Sequence, residues 1–328
     1  MLEHVSVIGS GAWGTALALA AARSGRLVTL WSRDADQAEE MQRTRYNARR
    51  LPGVILPDSI RATASLKEAA DRGQVMVLSL PAQSLRVMTE ALSPLARKGL
   101  PMIICAKGID VQSGEFLSEI VADAMPGSVP AILSGPSFAD DVARGLPTAV
   151  ALAAPTFDMA ETLARTLTSA TFRIYPSTDL RGVEIGGAAK NVLAIAAGIV
   201  EGRGLGESAR AALVARGFAE LRRFGESYRA RPETLMGLSG LGDLVLTAGS
   251  LKSRNFAFGH DLGRGLSVAE AGGGRLAEGV HTARILSDMA RARGIEMPIA
   301  EAVSAILKGS LTIDGAVDAL MNRPMKGE

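Results

Sequence analysis

Directly after the apolar run His4 to Ile8 the chain reads Gly9-Ser10-Gly11-Ala12-Trp13-Gly14, and it continues into the alanine-rich stretch Thr15 to Ala22. Three glycines at this spacing, between a β-rich run and a helix-forming run, restrict the fold more than any other feature. The first permits a tight turn, the second keeps a side chain away from the first turn of the helix, and the third lets helix and strand lie close. Backbone N–H groups at that helix start carry partial positive charge and suit a pyrophosphate. The segment therefore predicts a dinucleotide-binding corner in an α/β domain of Rossmann type, with a mostly parallel sheet and helices on both faces.

The rhythm of the chain agrees up to about Asp179. Short apolar runs at His4 to Ile8, Leu27 to Trp31, Val75 to Leu80, Met102 to Cys105, Ala131 to Leu133 and Ala149 to Ala153 alternate with helical stretches. After Asp179 such runs stop and Ala, Leu, Gly and Arg dominate long segments, Val183 to Gly202 and Glu207 to Glu226 among them, which predicts an all-helical second domain. With 328 residues the chain is long for one core, so two domains are expected, 1–179 and 180–328. The stretch Val183 to Val200 is apolar nearly all round, interrupted by Lys190 and Asn191, and reads as a buried helix.

Other partner classes find little support. Lys plus Arg number 36 against 34 Asp plus Glu, so no global positive field advertises nucleic acid or an anionic membrane. Continuous apolar runs such as Val192 to Val200 fall short of the roughly 20 residues of a bilayer span. Met1-Leu2-Glu3-His4 lacks the basic and apolar regions of a signal peptide, and a cytoplasmic location is expected. The single cysteine, Cys105, reads as a small buried hydrophobe, and His4, His260 and His281 are scattered with no metal-ligand spacing.

Where many NAD enzymes carry an acid after the second strand, this chain has Ser32-Arg33. Arg33 suits a 2′-phosphate, which favours NADPH over NADH, although Asp34 follows at once as a contrary signal.

Four further segments stand out: Cys105-Ala106-Lys107-Gly108, Ser134-Gly135-Pro136-Ser137-Phe138-Ala139, Gly186-Gly187-Ala188-Ala189-Lys190-Asn191, and Gly237 to Leu244 followed by Ser253-Arg254-Asn255. With the N-terminal glycine motif, and in this order over nearly the whole chain, they closely resemble the prokaryotic-type NAD(P)-dependent glycerol-3-phosphate dehydrogenase family. The resemblance implies a helical domain similar to that of 6-phosphogluconate dehydrogenase. It also implies reversible reduction of dihydroxyacetone phosphate to sn-glycerol 3-phosphate, supplying phospholipid synthesis.

Reducing a ketone needs a hydride donor at the carbon and a proton donor at the oxygen. Lys190, an amine on an apolar helix, suits the proton role, and the resemblance implies the same. By resemblance Asp243 steadies Lys190, and Lys107, after a strand end, polarises the carbonyl while contacting substrate and cofactor. Arg254 with Ser253 and Asn255 offers a guanidinium fork, a hydroxyl and an amide for the substrate phosphate. Gly135 and Ser137 complete the substrate cradle. Gly9, Ser10, Gly11, Ala12, Trp13 and Gly14, with Arg33, Lys107, Ala139, Arg254, Leu276 and Glu278, are expected at the cofactor. Asp140-Asp141 departs from the family, which shows a basic residue there, and is expected to affect substrate affinity.

Two alternatives stay open at this stage: another two-domain Rossmann reductase, acting on a small hydroxy or keto acid, and a silent NADPH-binding regulator. A homodimer is a further expectation.

Overall fold

The computed structural model describes residues 2–274 and 276–324. Two compact units emerge: residues up to 110 together with 115–184, and 111–114 together with residues from 185 on.

The first unit is built on strands β1 (His4–Ile8), β2 (Leu27–Trp31), β3 (Tyr46–Asn47), β4 (Leu51–Ile55), β5 (Ile60–Thr63), β6 (Val75–Leu78), β7 (Pro101–Ile104), β8 (Val129–Ser134), β9 (Thr148–Ala153) and β10 (Phe172–Ser177). Eight of these form one sheet in the order β10-β9-β8-β7-β6-β1-β2-β5, while β3 and β4 make a separate hairpin. All pairings from β5 through β8 are parallel. The exception is β9, antiparallel to β8.

Around the sheet lie α1 (Ala12–Arg23), α2 (Ala35–Thr44), α3 (Leu66–Arg72), α4 (Leu85–Leu92), α5 (Leu117–Ala124), α6 (Ala139–Ala143) and α7 (Phe157–Leu167). Strand alternation sends Val5, Val7, Val28 and Leu30 into one core with α1 and α7, and Ile8, Met76, Leu78 and Met102 into another with α4 and α5. Both faces are thus covered, which is why the central strands read as continuous apolar runs. Each of the six runs singled out in the sequence contains a strand, although β6 ends at Leu78 and β7 at Ile104, short of the Leu80 and Cys105 expected.

The strands that the sequence did not reveal include the two sheet edges, β5 and β10. Along them burial alternates, with Arg61, Arg173 and Tyr175 facing outward. An edge strand needs an apolar residue only at every second position, so it leaves no run to read.

The second unit is helical: α8 (Leu180–Gly202), α9 (Glu207–Ser227), α10 (Pro232–Met236), α11 (Asp243–Thr247), α12 (Arg254–Gly263), α13 (Glu278–Ala292), α14 (Pro298–Leu307) and α15 (Ile313–Met321). Between α10 and α11, Leu238–Gly242 forms a π turn.

Helix α8 corrects one expectation. Counted as a continuous run its apolar residues fell short of a bilayer, but the whole 23-residue helix is long and apolar enough to cross one. Its apolar window is entirely buried in the protein, so it serves as a core helix.

The division between units also falls later than the expected 179/180, inside the first turns of α8. Hydrogen bonds explain this. Asp179 accepts from the Gly182 N–H at 2.8 Å, and Glu184 accepts from the backbone N–H and the hydroxyl of Ser118, both at 2.9 Å. Arg181 lies 3.7 Å over the Phe116 ring. The first bond caps α8 locally, and the contacts with Ser118 and Phe116 tie its start to the start of α5.

Helices α8 and α12 meet at backbone contact. A Cβ at Gly198 or Gly202 would come within 2.1 Å of the carbonyl oxygens of Phe256 and His260, respectively. A Cβ at Gly259 would reach 2.0 Å from Ile195 O, and one at Gly263 2.5 Å from Ile199 O. Glycines four apart on both helices therefore allow an approach that no other residue permits.

Candidate active site

The nucleotide corner sits at the β1/β6 boundary, where the strand order reverses, the place where open α/β sheets receive ligands. Gly9 has φ of 112°, and a Cβ there would lie 2.3 Å from Ser79 O at the end of β6. At Gly14 a Cβ would come 1.9 Å from Gly9 O, so only glycine lets α1 leave the strand so closely. Gly11 faces open space, with nothing within 4 Å of its would-be Cβ. It is the N-cap of α1, no side chain caps that helix, and no acid stands in its first turn. The first-turn N–H groups thus open onto a cradle of the shape and polarity a pyrophosphate requires, and the residues present fit a dinucleotide.

A buried polar chain holds the loop in place, and the sequence reading missed it. The Asn47 amide donates to Ser10 O at 2.8 Å and to the Thr15 hydroxyl at 2.7 Å, Gln37 donates to Asn47 Oδ1 at 3.1 Å, and the Ser32 hydroxyl donates to Gln37 at 3.3 Å. It runs from the glycine loop to the residue beside Arg33. Polar residues in a helix and a short strand look ordinary in sequence; only their burial sets them apart.

Arg33 is exposed after β2. The contrary signal, Asp34, is otherwise engaged: it caps α2 through the Gln37 N–H at 3.1 Å and pairs with Arg49 at 3.1 Å.

On the same carboxyl edge of the sheet, Lys107 follows β7 and Gly135 follows β8. The Lys107 amine donates to Gly135 O at 3.1 Å, and the Ser137 hydroxyl donates to that oxygen at 3.1 Å. Gly135 has φ of 154°, and a Cβ would meet Val150 Cα at 2.8 Å. Three expected residues are therefore gathered on one carbonyl. Ala139 begins α6, where Asp140 pairs with Arg144 at 3.0 Å, offsetting one of the two acids at that helix start. Cys105 is buried and its thiol is pushed up to about 12 by that burial, so it is inert packing.

In the second unit the Lys190 amine lies 3.0 Å from Asp243 Oδ1, with side chains only 5% and 1% exposed. Gly186, one turn before Lys190, makes the approach possible: its Cβ would be 3.0 Å from the backbone of Ser239 and Gly240 in the π turn. The π turn then delivers Asp243 as the first residue of α11. Such turns are frequent at functional sites. Asp243 could have been a simple helix cap; the structure gives its carboxylate to Lys190 instead.

Ser253 is the N-cap of α12, accepting from the Phe256 N–H at 3.4 Å. Arg254 follows, exposed and without an ion pair among the described residues. Asn255 donates to Asn191 Oδ1 at 2.9 Å and accepts from the Gly279 N–H at 2.9 Å, which places it beside both Lys190's neighbour and the start of α13. Glu278 is the first residue of α13, and Leu276 is exposed just before it. His281 is exposed on the same helix.

The family described as NAD-dependent glycerol-3-phosphate dehydrogenase matches through its N-terminal part over residues 4–160 and its C-terminal part over residues 179–318. A glycerol-3-phosphate dehydrogenase [NAD(P)+] of Azorhizobium caulinodans is 57% identical over 99% of this chain and 98% of that relative, and one of a Bradyrhizobium species is 58% identical over the same shares. The crystal structure of glycerol-3-phosphate dehydrogenase from Coxiella burnetii superposes with a TM-score of 0.93 at 37% identity, covering 98% of this chain and 99% of that one. With both halves matched in order, this chain belongs to the NAD-dependent glycerol-3-phosphate dehydrogenase family.

Proposed function

We propose that this chain reversibly reduces dihydroxyacetone phosphate to sn-glycerol 3-phosphate with a nicotinamide cofactor, NADPH in preference to NADH, and so supplies glycerol phosphate for phospholipid synthesis in the cytoplasm. The observation that carries the reading is the Lys190–Asp243 pair at 3.0 Å, an amine held by a carboxylate with both side chains almost fully buried.

The bound cofactor supplies a hydride to C2 of the ketone. Lys190 gives its proton to the carbonyl oxygen as charge builds there, and takes one back in the reverse direction. Asp243 holds the amine in position and balances its charge, so the ammonium need not be solvated by bulk water. Lys107, steadied by Gly135 O, supplies a fixed positive charge toward the carbonyl, with Gly135 and Ser137 as substrate contacts. Arg254, Asn255 and the Ser253 hydroxyl take the substrate phosphate, and Ser253 also caps the helix α12 that carries the other two. Gly9 to Gly14 cradle the pyrophosphate and Arg33 meets the 2′-phosphate, while Lys107, Ala139, Arg254, Leu276 and Glu278 complete the cofactor contacts.

The test mixes purified protein with dihydroxyacetone phosphate and either NADPH or NADH and follows reduced-nicotinamide absorbance. Substrate-dependent oxidation, faster with NADPH at limiting concentration, is expected. No oxidation with either cofactor overturns the assignment.

A further inference from the structure

The amide of Asn255 can be oriented without ambiguity, because one of its partners cannot change role. The Gly279 backbone N–H is only a donor, so the Asn255 atom 2.9 Å from it is the carbonyl oxygen. The Asn255 nitrogen then faces Asn191, and the Asn191 atom 2.9 Å away is its oxygen. Direction propagates from one backbone group through two side chains. Asn255 keeps a second N–H that makes no hydrogen bond among the described residues, and it presents that donor, never its oxygen, to whatever approaches.

Asn191 lies on α8 next to Lys190 and is buried, 3% exposed. Helices α8 and α12 are locked at backbone contact by Gly198 and Gly259, so Asn191 and Asn255 cannot slide apart. Helix α13 has no cap of its own at Ala277, and the Asn255 oxygen supplies one from outside.

We infer that Asn191 is a positioning residue for substrate recognition: by accepting one N–H of Asn255 it fixes the amide so that the other N–H meets a phosphate oxygen. Asn191 touches no substrate itself. This rests on the assignment of Asn255 to the phosphate made above. With Asn191 altered, the amide is held by the Gly279 contact alone and its nitrogen end is free to swing.

The experiment is a double-mutant cycle of Asn191→Ala and Asn255→Ala in the full chain. Each variant is measured for KM of dihydroxyacetone phosphate, KM of NADPH, kcat, and turnover of phosphate-free dihydroxyacetone. Asn191→Ala is expected to raise KM for dihydroxyacetone phosphate about tenfold, the scale of one lost charge-assisted hydrogen bond, with KM for NADPH unchanged. Turnover of dihydroxyacetone should be unaltered by Asn191→Ala. The double variant should equal Asn255→Ala alone, because the first residue acts through the second. Additive losses, or equal losses on the phosphate-free ketone, overturn the inference. If Asn191→Ala fails to fold, Asn191→Ser enters the cycle under the same criteria. Absence of turnover in the unaltered protein would instead defeat the assignment of the reaction, a separate result.

Discussion

The two units reach close backbone packing by different uses of glycine. In the first, the glycines that matter are Gly9 and Gly135, which stand in positive-φ turns at strand ends, and Gly14, which stands in the first turn of α1 against Gly9 O. Gly9 and Gly135 also pack against other strands, Ser79 O after β6 and Val150 in β9, but what each shapes is the loop it stands in. In the second they stand inside helices, Gly186 against the π turn and Gly198, Gly202, Gly259 and Gly263 along the α8–α12 contact, and each acts on a partner some 50 or more residues away. The first arrangement makes a cradle for a ligand. The second fixes the distance between helices that carry Lys190 and Asn255.

This difference predicts separable losses. The largest concerns the helix contact: Gly259→Ala places a methyl 2.0 Å from a backbone oxygen that cannot move aside, and should cost about 3 kcal/mol of stability or prevent folding, read by denaturant unfolding. A small change would mean that α8 and α12 pack less tightly than described. Gly11→Ala is the opposite case, since its methyl enters open space. The melting temperature should stay within about 2 °C of the parent while NADPH binding weakens at least roughly tenfold, because the methyl occupies the pyrophosphate's place. Unchanged NADPH binding would remove the cradle from the account.

Arg33→Gln sharpens the picture within the first unit. KM for NADPH should rise about tenfold, with KM for NADH nearly unchanged. Equal effects on both cofactors would refute a 2′-phosphate contact.

The smallest expected effect concerns the start of α8. Burial pushes the Glu184 carboxyl up to about 7 from an ordinary 4.5, more than Arg181 and Ser118 pull it down. The native state therefore binds this proton more tightly than the unfolded chain. Its contribution to stability is complete below about pH 4.5 and is lost as the pH rises through about 7. Glu184→Gln stays neutral and can still accept the Ser118 N–H, so its melting temperature should fall less than the parent's between pH 5 and 8. The buried Glu220, also pushed up to about 7 by burial, adds a similar slope in both proteins. Identical slopes would show that Glu184 does not titrate in this range.

The legible part of the molecule was its local part. The glycine motif lies between a strand and a helix, and Lys107 and Gly135 follow buried strands, so a short window of sequence contains the reason for each position. Lys190 was visible as a charge in an apolar helix, and its partner Asp243 through resemblance. What stayed hidden depends on distant neighbours: the alternating edge strands β5 and β10, the Asn47–Gln37 support under Ser10, and helices capped from outside. Glu184 caps α5, Glu220 accepts from the Ile299 and Ala300 N–H groups of α14, and Asn255 caps α13. A helix start without a local cap residue, as at Ala277 or Met297, was the available signal, but it names no partner.

The central claim, that proton transfer resides in the Lys190–Asp243 pair while cofactor binding is built elsewhere, is tested most directly by Lys190→Ala, assayed in parallel for turnover of dihydroxyacetone phosphate and for NADPH affinity by fluorescence. The account predicts turnover reduced at least about a thousandfold with NADPH affinity within a factor of about two. Substantial remaining turnover would contradict it by placing the proton donor at another residue.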